Sequence, residues 1–128
     1  MRTTKKSKKK SRAKKPESEK LIQRKILKWL STTGLLYWRQ NSGFTFIGKR
    51  RIVLGAAGLP DIIVVIPPDG RLLGLEVKSA KGKMRPSQER FRDSLAAAGG
   101  GYEVVRTMEQ AKGAIEFFRE FHRGYSIT

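Results

Sequence analysis

Gly58-Leu59-Pro60-Asp61, Ile62-Ile63-Val64-Val65-Ile66, Pro67-Pro68-Asp69-Gly70 and Leu72-Leu73-Gly74-Leu75-Glu76-Val77-Lys78 follow one another almost without interruption. The run from Ile62 to Ile66 is continuous, apolar and β-branched, the pattern of a strand covered on both faces. Pro-Pro-Asp-Gly supplies turn residues that return the chain antiparallel. Side chains alternate across a strand, which places Glu76 and Lys78 on one side and Val77 on the other. Asp61 opens the first strand, so two carboxylates and one ammonium converge where the two strands adjoin. Two hard oxygen ligands suit a magnesium-like ion, and a lysine beside it can act on a phosphate or a water.

Upstream, Glu17 to Leu30 has helical periodicity, with Ile22, Ile26, Trp29 and Leu30 on one stripe. Glu19 and Gln23 fall on that apolar stripe as well. A carboxylate there is costly unless it is paired or metal-bound, so Glu19 needs a partner; a lysine, or solvent at a frayed first turn, would also serve. Leu35 to Asn41, Phe44 to Ile47 and Arg50 to Leu54 read as strands joined by tight turns around Ser42-Gly43 and Gly48. Tyr37, Trp38 and Phe44 read there as packing residues in preference to base-stacking ones.

Downstream, Ala80 to Arg85 is a basic loop. Pro86 then opens a helix carrying Gln88, Phe91, Leu95 and Ala98, which Gly99-Gly100-Gly101 ends. Tyr102 to Val105 is a short strand, and Thr107-x-x-Gln110 is a capping box opening a last helix with Ala111, Ala114, Ile115 and Phe118. A strand, a crossover helix and a strand imply parallel pairing of the Glu76 and Tyr102 strands. The expected fold is therefore α/β, a mixed central sheet flanked by helices.

The chain has 128 residues and 38% hydrophobic content, enough for one modest core, and it has no cysteine. Thiolate zinc sites and disulfide frameworks are thereby excluded. Its single histidine, His122, rules out a histidine-pair metal site and argues against a Ser-His-Asp triad. The net charge is +17; residues 1 to 15 hold nine Lys or Arg and no acid, leaving 19 basic against 11 acidic residues beyond, a net +8. Residues 1 to 15 are expected to be a disordered basic tail, and 16 to 128 a single domain. Such charge points to a polyanion, with affinity that falls steeply with salt. No apolar run approaches a membrane span, and the expected setting is cytoplasmic, or nuclear if the basic tail acts as an address.

Taken together, Glu19-x-x-x-Gln23, Arg39-Gln40-Asn41-Ser42-Gly43, Gly58-Leu59-Pro60-Asp61, Glu76-Val77-Lys78-Ser79, Gly82-Lys83 and Gln88 resemble the VRR-NUC domain, the virus-type replication and repair nuclease module of the PD-(D/E)XK superfamily. The likeness runs from about Glu17 to Met108. It implies a restriction-endonuclease-like core and metal-dependent phosphodiester hydrolysis with Mg2+ or Mn2+. By the same likeness Asp61, Glu76, the Val77 carbonyl and Glu19 would hold the metal, Lys78 would serve the attacking water or scissile phosphate, and Gln23 and Gln88 would complete the pocket. One departure stands in Met84-Arg85-Pro86-Ser87, where a Ser or Thr often caps the glutamine-bearing helix.

Arg39, Lys49, Arg50, Arg51, Lys81, Lys83 and Arg85 bracket the motif and are candidates to grip phosphates. The implied activity is an endonuclease on branched or Holliday-junction-like DNA in replication or repair. A non-catalytic basic nucleic-acid binder and an RNA-cleaving enzyme of the same fold are the alternatives. Junction-resolving enzymes commonly pair two active sites by two-fold symmetry, which makes a homodimer an expectation, with Phe117, Phe118 and Phe121 as candidate contacts.

Overall fold

The computed structural model describes residues 16–40, 43–54 and 57–121. The basic tail at 1–15 and His122 lie outside them. The first helix, α1 (Glu19–Leu30), starts where the Ser18 side chain accepts from the Leu21 N–H at 3.1 Å. Ile22, Ile26 and Leu30 recur every fourth residue and are fully buried, which sets the face that α1 turns inward. Each such burial contributes about 1.5–3 kcal/mol, so truncating one to alanine costs roughly 2–5 kcal/mol.

Among the described residues six strands follow, in two sheets. β1 (Leu36–Arg39), β4 (Ile62–Ile66), β5 (Arg71–Val77) and β6 (Gly101–Val105) form the main sheet in the order β1-β4-β5-β6. β1 and β5 run antiparallel to β4, and β6 runs parallel to β5 with Glu76 opposite Val104. The parallel pairing inferred from the crossover is therefore present. β2 (Gly43–Ile47) and β3 (Arg50–Leu54) form a separate hairpin, with Phe46 opposite Arg51. Hydrophobic alternation assigned these strands but not their partners: β1 leaves the hairpin and pairs with β4.

Strand parity divides the main sheet into two faces. Ile62, Val64, Ile66, Leu73, Leu75, Val77 and Val105 join Ile22, Ile26, Leu30, Ala111 and Ile115 in one core, under α1 and the last helix, α3 (Met108–Glu120). The opposite face carries Ile63, Gly74, Glu76 and Tyr102. There α2 (Pro86–Ala97) packs on β6, with the Phe91 and Tyr102 rings 6.1 Å apart. Gln88 is the one fully buried side chain of α2; Phe91 and Leu95 are half-buried, and Ala98 is an exposed cap. Thr107 caps α3 by accepting from the Gln110 N–H, one half of the expected capping box; the Gln110 side chain accepts from the Arg106 N–H in place of that of Thr107. Phe118 lies over Gly101, where a Cβ would come within 1.9 Å of the ring.

Candidate active site

Three side chains meet where β4 begins and β5 ends. Asp61 lies just before β4, and its backbone joins the sheet: its N–H donates to Leu75 O at 3.1 Å and its carbonyl accepts from Gln40 N at 2.7 Å. Its carboxylate turns across to β5, where Oδ2 accepts from the Val77 N–H at 2.7 Å. Asp61 therefore clasps β5 on both sides of Glu76. Glycine and proline in the preceding loop make this approach geometrically possible. Gly58 has φ +84°, and a Cβ there would stand 2.1 Å from the Ser87 carbonyl oxygen; a Cβ on Gly74 would meet the Pro60 ring at 2.5 Å. The Gly-Leu-Pro-Asp loop is thus wedged between α2 and β5.

Glu76 is 5% exposed. Its Oε2 accepts from Gln88 Nε2 at 2.9 Å and faces Lys78 Nζ at 3.5 Å, while Oε1 lies 3.4 Å from the Tyr102 hydroxyl. Burial, reinforced by the Asp61 charge, pushes the Glu76 carboxyl up to about 7, with Lys78 and Gln88 opposing the shift. Asp61 is also raised, first by burial, with the Glu19 charge adding to it; the Val77 N–H, Lys78 and Arg39 pull the other way. Two adjacent carboxylates that resist ionising together form a site whose cost a divalent cation would relieve, and hard oxygen donors suit magnesium or manganese. The donor set therefore fits such an ion.

Glu19 corrects the helical-wheel reading. It is exposed, at the first turn of α1, and its Oε2 accepts from the Ser79 N–H at 2.9 Å. Its partner is a backbone amide just past Lys78, which brings α1 to the edge of the site. Among the described residues no group of three or more His, Asp or Glu side chains gathers as a ligand cluster. The carboxylates come as the pair Asp61 and Glu76, with Glu19 beside them. Gln23, one turn further, lines a cavity with Lys20, Arg24, Leu27 and Arg39.

Gln88 takes both roles open to an amide. Oε1 accepts from the Arg85 N–H at 2.9 Å, closing the first turn of α2, while Nε2 holds Glu76. The absent Ser or Thr cap is thus met by the glutamine bonding back to the Arg85 backbone. Lys81, Lys83 and Arg85 are exposed on the loop between β5 and α2; Lys49, Arg50 and Arg51 are exposed at the turn of the β2–β3 hairpin, a sheet separate from the main one. Tyr37 packs on the core, whereas Trp38 is 42% exposed, contrary to a packing role; the side chain of Phe44 lies outside the described residues.

Two further residues belong to the site. Tyr102 donates to Gly58 O at 3.1 Å, linking the Asp61 loop to β6, and its hydroxyl is raised by burial and the nearby Glu76 charge. Arg106 Nη1 donates to Ser79 O at 2.5 Å and Gly82 O at 2.8 Å, holding the loop after Lys78. The crossover rule carried a usable signal for both: a strand parallel to β5 sets Tyr102 beside Gly74 and brings Arg106 past the Lys78 end.

Residues 17–109 match the VRR-NUC domain family. A solved structure of a VRR-NUC domain is similar in fold, with a TM-score of 0.56 and 24% identity, covering 79% of this chain and 97% of that one. No curated protein matches the sequence.

Proposed function

The chain belongs to the VRR-NUC family, a family of nucleases, and on that premise we propose that it is a metal-dependent endonuclease hydrolysing phosphodiester bonds in branched or otherwise structured DNA during replication and repair. The observation that carries this reading is the convergence of Asp61, Glu76 and Lys78 beside one another at the end of β5.

Asp61 and Glu76 would hold magnesium or manganese, with the Val77 carbonyl and Glu19 as the further oxygens that the family likeness implies. Such an ion supplies Lewis acidity toward the phosphate and lowers the pKa of bound water. The protein's own contribution is placement and charge. Gln88 fixes one Glu76 oxygen, and the Val77 N–H fixes one Asp61 oxygen, so both carboxylates are oriented before substrate arrives. Lys78 is 8% exposed and sets a positive charge beside them, where it offsets negative charge building on the phosphate and orients the attacking water. The exposed cations of the Ala80–Arg85 loop and of the hairpin hold the duplex by its phosphates.

Phe117 and Phe121, 45% and 43% exposed with ring centroids 4.8 Å apart, support pairing of two copies on a two-fold axis; Phe118 is instead committed to the packing over Gly101. The deciding experiment is a cleavage panel of linear duplex, flap, fork, four-way junction and single-stranded DNA, with an RNA counterpart, in Mg2+, Mn2+ or chelator. Ion-dependent cutting strongest on a branched DNA is expected. Retardation of every substrate with cutting of none identifies a binder, and cutting of RNA alone overturns the DNA assignment.

A further inference from the structure

A cavity of about 240 Å³ opens between α1 and β1, lined by Lys20, Gln23, Arg24, Leu27 and Arg39. Three of the five lining residues are cations and none is a carboxylate. Lys20, Gln23, Arg24 and Leu27 are spaced three, four and seven apart, so they form one ridge along the helix. Arg39 faces them from the end of β1, where it pairs with Ile62, the residue after Asp61. Its charge is felt at the Asp61 carboxylate. One wall of the cavity therefore stands next to the strand that Asp61 opens, and the helix forming the other wall begins with Glu19.

Two of these three cations, Lys20 and Arg24, have no side-chain partner among the described residues, whereas Lys25 on the same helix is neutralised by Glu17. Three like charges round one hollow repel one another, and an anion between them removes that cost. Guanidinium forks match the oxygens of a phosphate in pairs. The Gln23 amide adds a neutral donor, and Leu27 offers apolar surface that a sugar can cover. From Lys20 to Leu27 the ridge spans roughly 10 Å at 1.5 Å per residue, the axial length of about three nucleotide steps of one strand.

We propose that this cavity binds a backbone phosphate of the nucleic-acid strand next to the phosphate that is cut, with Arg24 and Arg39 as its ligands and Lys20 and Gln23 completing the contact. The assignment of a neighbouring scissile phosphate rests on the nuclease reading; the binding site itself does not. It sets the register in which a strand enters, since a phosphate seated there leaves only its neighbours within reach of Asp61 and Glu76.

The test uses the full chain in chelator, so that no cleavage is needed, and fluorescence anisotropy with a short DNA duplex. Lys20 and Arg24 are exposed, so Lys20→Gln with Arg24→Gln should leave the fold intact, as circular dichroism would verify. The double variant is expected to bind about tenfold more weakly and to flatten the plot of log affinity against log salt by about one to two units. Replacing single phosphates by uncharged methylphosphonates should reveal one position that weakens the native protein and no longer affects the variant. With Mg2+, KM should rise severalfold while kcat stays within about twofold. An unchanged salt slope, or a methylphosphonate profile identical in both proteins, overturns the proposal. Failure of the native protein to cleave would sink the nuclease reading alone, because the binding measurements remain readable.

Discussion

Gln88 Nε2 donates to Glu76 Oε2 across 2.9 Å, and the same amide accepts from the Arg85 N–H, so one side chain joins the start of α2 to the carboxylate at the end of β5. Both groups are buried, and losing the amide leaves a buried carboxylate with one donor fewer. Gln88→Ala is expected to lower stability by about 1–3 kcal/mol and to weaken divalent-ion affinity by roughly tenfold or more. Chemical denaturation and ion titration check the two effects separately. A variant with native ion affinity would show that Gln88 serves the helix only.

Because Glu76 is raised from 4.5 to about 7, stability should depend on pH in a defined direction. A carboxyl whose folded-state pKa is raised binds its proton more tightly in the folded state. Its contribution is fully present below about pH 4.5 and is lost as pH climbs through 7. The ion-free protein should therefore lose up to about 3 kcal/mol across that window. Mg2+ or Mn2+ should restore more stability at pH 8 than at pH 6, since it competes with the proton. Glu76→Gln should flatten the window; an unaltered slope in that variant would assign the titration to another group.

Gly58→Ala tests the loop that delivers Asp61. The new methyl meets the Ser87 carbonyl oxygen and imposes a positive φ on an L-residue. Destabilisation of roughly 2–4 kcal/mol is expected, together with loss of cleavage that outlasts any rescue by added Mg2+. Thermal unfolding and activity at low temperature separate the two, and full activity at native stability would mean the loop relocates without moving Asp61.

Much of this was legible in the sequence because it depends on period and connectivity. Alternation alone put Glu76 and Lys78 on one face, a β-branched run marked β4, and the crossover helix dictated the parallel β5–β6 pair. What escaped depends on contacts between residues distant in sequence. The helical wheel placed Glu19 on a buried stripe, but at the first turn of α1 it is exposed and reaches Ser79, sixty residues on. Tyr102 read as an apolar strand residue because its hydroxyl partners, Gly58 and Glu76, lie on other elements. Lys20 and Arg24 carry no signal of a site in their helical spacing, because only the fold brings Arg39 opposite them. Pairing of β1 with β4, across the hairpin, is likewise a choice of partner that alternation does not encode.

The most direct measurement is side-by-side cleavage and binding by Asp61→Asn, Glu76→Gln and Lys78→Ala proteins on a branched DNA in Mg2+. Each should bind within a few fold of the native protein and cut at least a hundredfold more slowly. Undiminished cutting by rigorously purified Asp61→Asn or Glu76→Gln would contradict the assignment of these carboxylates to the chemistry.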